Sequence, residues 1–121
     1  MSNLFERAEF EDFVARLPGV SFVDQWDSRV AKVADKVFAL LTDTSHRITF
    51  KVTEESFEIL SSMDGVSQAP YFAKRKWVSV SAEAPLSSDD LQYYLQRSHR
   101  LVAQGLTQKT RTELGIPKGL D

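Results

Sequence analysis

The chain has 121 residues, 42% hydrophobic and 26% charged, which suits one globular domain with its own core and argues against disorder. It has no cysteine, so disulfides, thiolate metal sites and cysteine nucleophiles are excluded, and a cytoplasmic setting fits. Net charge is −2, against a whole-surface attraction to nucleic acid or anionic lipid, but residues 1–70 carry −5 and residues 71–121 carry +3, so one basic face is compatible with the total.

No apolar run approaches the roughly 20 residues of a membrane span. The opening "MSNLFERAEFEDF" is acidic and amphipathic, unlike a secretory signal. Ser2 or Asn3 is placed to cap a first helix, with Glu6 at the capping-box position behind Asn3. Phe10, Phe13, Val14 and Leu17 form its apolar stripe, and Pro18-Gly19 ends it. "VSFVDQW" (20–26) alternates loosely. "RVAKVADKVFALLTD" (29–43) reads as two strands joined by a tight turn at Asp35-Lys36. "DTSH" (43–46) is turn-like. "RITFKV" (47–52) alternates cleanly, with Ile48, Phe50 and Val52 on one face and Arg47, Thr49 and Lys51 on the other.

Thr53 caps a second helix that buries Phe57 and Leu60 and closes at Asp64-Gly65. Residues 66–76 have no clean period, and Pro70 makes them a loop or a sheet edge. "WVSVSA" (77–82) is the last strand. Ser87 caps the longest helix, with Leu91, Leu95, Val102 and Leu106 inward. Thr107 caps a short final helix, and residues 115–121 read as a flexible tail. Strands joined by short turns, with helices at both ends and one inserted, predict an α+β two-layer sandwich. Its antiparallel sheet has five to six strands, with helices packed on one face.

The segments "LPGV" (17–20), "KVADKVFALL" (32–41), "ITFKVTEESFEIL" (48–60), "KRKWVSV" (74–80) and "LSSDDLQYYLQRSHRLV" (86–102) resemble, in order, those of the MmcQ/YjbR family of small bacterial domains. The resemblance runs from about Leu17 to Leu114. It implies a CyaY-like fold and a double-wing mode of DNA binding, with β-hairpins as wings. The family loop commonly reads Asn-Lys-x-His-Trp. Here Lys74 and Trp77 match, while Ala73 and Lys76 replace the Asn and the His. The hairpin turn lacks the usual glycine and carries Lys36 beside Asp35.

The candidate site is basic. Lys74, Arg75 and Lys76 run into Trp77, and Lys36 and Arg47 extend the set. Cations suit phosphates, and an exposed indole can stack on a base. Two placements of Trp77 are open: on the exposed sheet face, or semi-buried beneath the 66–73 loop with the cations solvated at an edge. Asp24, Asp27, Asp35 and Asp43 are interleaved with Arg29, Lys32 and Lys36 and dilute any phosphate-binding field.

His46 and His99 have no second ligand at metal spacing, so no metal site is expected, and His99 reads as a surface or partly buried structural histidine. The acids of the first two helices suit hard cations but equally suit helix dipoles. The five glycines are isolated, and no catalytic motif is present. The expectation is a non-enzymatic monomer without a cofactor, binding DNA. The alternative is a protein-interaction module using the sheet face around Trp77.

Overall fold

The computed structural model describes residues 3–70 and 72–116. Ten elements follow in chain order. They are α1 (Arg7–Val14), β1 (Val20–Gln25), β2 (Ser28–Val33), β3 (Lys36–Thr42), β4 (Arg47–Lys51), α2 (Glu54–Ser61), β5 (Val66–Gln68), β6 (Trp77–Ser81), α3 (Ser88–Ala103) and α4 (Gln108–Glu113). The strands form one antiparallel sheet in the order β1-β2-β3-β4-β6-β5. The expected α+β architecture is therefore present.

The sheet is amphipathic by alternation. Ala31, Val33, Leu41, Ile48, Phe50, Val78 and Val80 enter the core with Phe10 and Val14 of α1, Leu60 of α2 and Leu91 and Leu95 of α3. Burying each large apolar side chain contributes about 1.5–3 kcal/mol, so this layer contact is the main source of stability. Helix α3 lies across β2, β3 and β4, and α2 lies against β5 and β6.

Local chemistry explains the boundaries. The Ser87 hydroxyl accepts from the Asp90 N–H while the Asp90 carboxylate accepts from the Ser87 N–H, a reciprocal cap that starts α3. The Thr53 hydroxyl caps α2 and the Thr107 hydroxyl caps α4. The first helix begins later than expected. Asn3 bonds the Phe5 N–H in a preceding turn, and Glu6 takes the cap position without a side-chain bond. Ser2 lies outside the described residues.

The β2–β3 turn also moves by one residue, to Ala34-Asp35, with φ of 48° and 67°. The β1–β2 turn, Trp26-Asp27, has φ of 53° and 56°. Paired left-handed residues match the right-handed twist of a two-residue hairpin, and neither turn contains the glycine that usually supplies them. A bulge follows in β3: Ala31 faces Ala39 and Lys32 faces Val37, leaving Phe38 unopposed.

At the C-terminal end, Ile116 is buried in the core and its N–H donates to the Arg111 carbonyl. The expected tail therefore does not begin at 115; residues 117–121 lie outside the described residues.

Candidate nucleic-acid interface

Strand register sorts the charged residues to the two ends of the sheet. Val33 faces Lys36 at the β2–β3 tip, and Lys51 faces Trp77 where β4 ends and β6 begins. Lys36, Lys51 and the 73–76 turn therefore occupy one end. Lys32, opposite Val37, lies there too. Strands are about 4.8 Å apart, so β3, β4 and β6 bring Lys36, Lys51 and the turn cations within roughly two strand spacings laterally, with Lys32 one strand further out on β2. Lys36, Lys74 and Lys76 are exposed. Among the described residues no carboxylate pairs with Lys32, Lys36, Lys51, Lys74 or Lys76. Acids at this end include Asp35 on the same hairpin tip, Glu54 and Glu55, which open α2 in the helix layer, and Glu58, which pairs with Arg75 of the turn.

The opposite end holds Asp24, Asp27 and Asp43. The Asp43 N–H donates to the Asp27 carbonyl. Arg7 of α1 binds both Asp24 and Asp43, at 2.5 and 3.4 Å, and Arg29 reaches Asp24 at 3.5 Å. Glu11 joins Arg7 and Arg29 at 3.1 and 2.9 Å. These contacts hold the Arg7 guanidinium above its ordinary range, the Glu11 hydrogen bond contributing most. Asp24 and Asp43 are thus separated from the loop cations in space and occupied by arginines, while Asp35 stays beside Lys36 at the basic end.

Two expected members take different places. Arg75 has φ of 64°; its side chain pairs with Glu58 and lies over the Phe57 ring, 5.5 Å from the centroid. It fastens the turn to α2. Arg47 stands at the other end of the sheet, opposite Thr42 and Ser81. Its Nε donates to the Ser79 hydroxyl at 2.7 Å and its Nη2 to the Ser79 carbonyl at 2.8 Å.

Trp77 takes the buried placement. It is 8% exposed, and the Phe72 ring covers it at 4.4 Å between centroids. A stacking role for its indole requires the covering loop to move. Trp26, in the β1–β2 turn, is the exposed indole, at 63%. The helix-free face of the sheet carries a groove of ≈ 720 Å³ between Trp26 and Phe72, floored by residues such as Leu40 and Thr49. The sequence pattern hardly marks it. The one signal was Leu40 among face positions that otherwise carry Thr42, Arg47 and Thr49.

His99 is 3% exposed. Its Nε2–H donates to the Pro18 carbonyl at 2.7 Å, and its ring meets Phe38 edge-on at 5.2 Å. Burial holds its pKa below the usual histidine value; the Pro18 bond opposes this, and nearby Arg100 adds to it. It is a structural histidine. Among the described residues no three His, Cys, Asp or Glu side chains gather to hold a metal. No helix among them is long and apolar enough to cross a membrane.

Comparison with known proteins agrees with this architecture. The crystal structure of a Deinococcus radiodurans protein with the DUF419 domain superposes with a TM-score of 0.84 at 24% identity, covering 100% of this chain and 96% of that one. A Pseudomonas syringae protein superposes with a TM-score of 0.68 at 23% identity, covering 79% of this chain and 97% of that one. At these identities the likeness shows a shared fold. No curated protein matches the chain. The family model YjbR matches residues 15–101, well over half of the sequence. The chain belongs to the YjbR family.

Proposed function

We propose that this domain is a non-enzymatic, cytoplasmic, monomeric DNA-binding module. It contacts phosphates through the sheet end that carries the β2–β3 tip and the 73–76 turn. The supporting observation is the register that puts Lys36, Lys51 and residues 74–76 at one end, with Asp24 and Asp43 at the other, bound by Arg7. Lysines act here as mobile point charges that track a phosphate backbone without reading bases. The β2–β3 hairpin serves as one wing, and the 73–76 turn is the second contact. Arg75, held by Glu58, positions the turn more than it touches phosphate.

The test is anisotropy of a labelled 20-base-pair duplex titrated with the chain between about 50 and 200 mM salt. Affinity should fall linearly on logarithmic axes. Each of Lys36→Ala, Lys74→Ala and Lys76→Ala should lower the slope by about 0.9 for every phosphate that the variant no longer neutralises. Arg47→Gln, at the opposite end, should leave the slope unchanged. No binding at the lowest salt, or a slope indifferent to the three lysines, sinks the reading.

A further inference from the structure

The groove on the helix-free face has a chemistry of its own, separate from the basic end. Its walls are apolar: Trp26 at one side, Pro70 and Phe72 at the other, with Leu40 in the floor. Its volume of ≈ 720 Å³ falls within the range that encloses a small organic molecule. Among the described residues that line it, Arg47 is the one charged residue.

The setting of Arg47 gives the ligand's charge. Every hydrogen-bond acceptor it meets among the described residues is neutral: the Ser79 hydroxyl and carbonyl, the Ser67 hydroxyl at 3.2 Å and the Gly65 carbonyl at 3.4 Å. Those bonds use Nε and Nη2. They fix the plane of the guanidinium and leave Nη1 without a protein acceptor among the described residues. No carboxylate there neutralises it. A held, unneutralised guanidinium beside apolar walls favours an anion more strongly than one in open water, because the local dielectric is lower. A single cation matches a single negative charge. The Thr49 hydroxyl is in the same lining and supplies a neutral donor.

We propose that this groove binds a small apolar monocarboxylate, its carboxylate on Arg47 and its aromatic or aliphatic body between Trp26 and Phe72. Charge complementarity selects this class: among the described residues, one uncompensated cation stands in an otherwise uncharged, largely apolar lining. The inference does not depend on the DNA reading, since Lys36, Lys74 and Lys76 do not line the groove.

The experiment is calorimetric titration of the full chain with 2-naphthoate and with the uncharged isostere 2-naphthamide. The expected result is saturable binding of naphthoate, with naphthamide about tenfold weaker or worse, the effect of one charge-assisted hydrogen bond. Arg47→Gln should abolish the difference between the two compounds. Because Arg47→Gln also changes several hydrogen bonds, amide chemical shifts of the unaltered chain supply a second readout. Naphthoate should move Thr49, Ser67 and Ser79 and leave Lys36 and Lys76 still. Absence of saturable naphthoate binding overturns the proposal. So does equal binding of the amide, or shifts centred on the basic end. A concentration-dependent dimer in sedimentation, abolished by Phe72→Ala, also overturns it and assigns the groove to a second copy of the chain.

Discussion

Ser98 of α3 bridges Phe38 of β3 and Lys51 of β4 where the ladder between the two strands ends. Its hydroxyl donates to the Phe38 carbonyl and accepts the Lys51 N–H at 2.9 Å, so one side chain satisfies a backbone group on each of two neighbouring strands. The ladder bonds of β3 and β4 begin beyond this point, at Ala39 and Phe50. Ser98 is fully buried, and Lys51 lies at the proposed DNA-contacting end. Ser98→Ala removes both bonds and leaves two inward backbone groups unpaired, at about 1–3 kcal/mol each before relaxation. We expect a loss of about 2–4 kcal/mol in urea unfolding, with an unchanged m value. A loss under about 1 kcal/mol shows that water replaces the hydroxyl.

His99 gives the fold a pH-dependent term. Its folded pKa lies below the unfolded value of about 6.5. The unfolded chain therefore takes up a proton more readily than the folded one. Stability is full above pH 6.5 and falls as pH drops through the window between 6.5 and the lower folded value. His99→Gln retains an N–H for the Pro18 carbonyl and has nothing to titrate there. Thermal melts from pH 7.5 to 5.5 should show a decline in the unaltered chain and a flatter curve in the variant. Parallel curves would place the titration elsewhere.

Much of this architecture was legible because period and caps agree. Ile48, Phe50 and Val52 alternate with polar residues, and Thr53, Ser87 and Thr107 each start a helix as their positions indicate. The β2–β3 turn was displaced because Ala34 gives no turn signal; the left-handed pair is imposed by strand twist and register. In the sequence Ser98 is only a polar break in the stripe of Leu91, Leu95 and Val102, since its partners are backbone groups 60 and 47 positions away. The site was legible as a set of residue types and not as a layout. The β3–β4 hairpin alone separates Arg47 from Lys36, but separating it from Lys74 needs the order β3-β4-β6, which inserts a strand far along the chain beside β4. Burial of Trp77 depends on Phe72, in a stretch with no period of its own.

Ala34 marks a place where the chain is less stable than it need be. At φ of 48° its Cβ opposes the backbone, at about 1–2 kcal/mol. Glycine removes that conflict but adds unfolded-state freedom of about 0.5–1 kcal/mol. Ala34→Gly should therefore stabilise the domain by up to about 1 kcal/mol, read as a higher urea midpoint. Destabilisation would mean that the half-buried Ala34 methyl contributes packing that outweighs the conformational strain.

Trp77 and Lys74, three residues apart, should fail in different ways when truncated. Trp77 is packed under Phe72 on a strand held by β4 and β5. Trp77→Ala leaves a cavity where the indole was, and large-to-small changes of this kind cost about 3–5 kcal/mol. Lys74 is exposed, with no ion pair among the described residues, so Lys74→Ala should change stability by no more than about 0.5 kcal/mol. DNA affinity should show the reverse order once each variant is assayed well below its own Tm. Lys74→Ala weakens binding and lowers the salt slope. Trp77→Phe, which keeps a ring under Phe72, should leave both close to the unaltered chain. If Trp77→Phe instead loses affinity while its Tm is preserved, the indole itself meets the nucleic acid. The 69–73 loop must then open on binding, which a red shift of the Trp77 emission on adding DNA, followed in a Trp26→Phe background, would report.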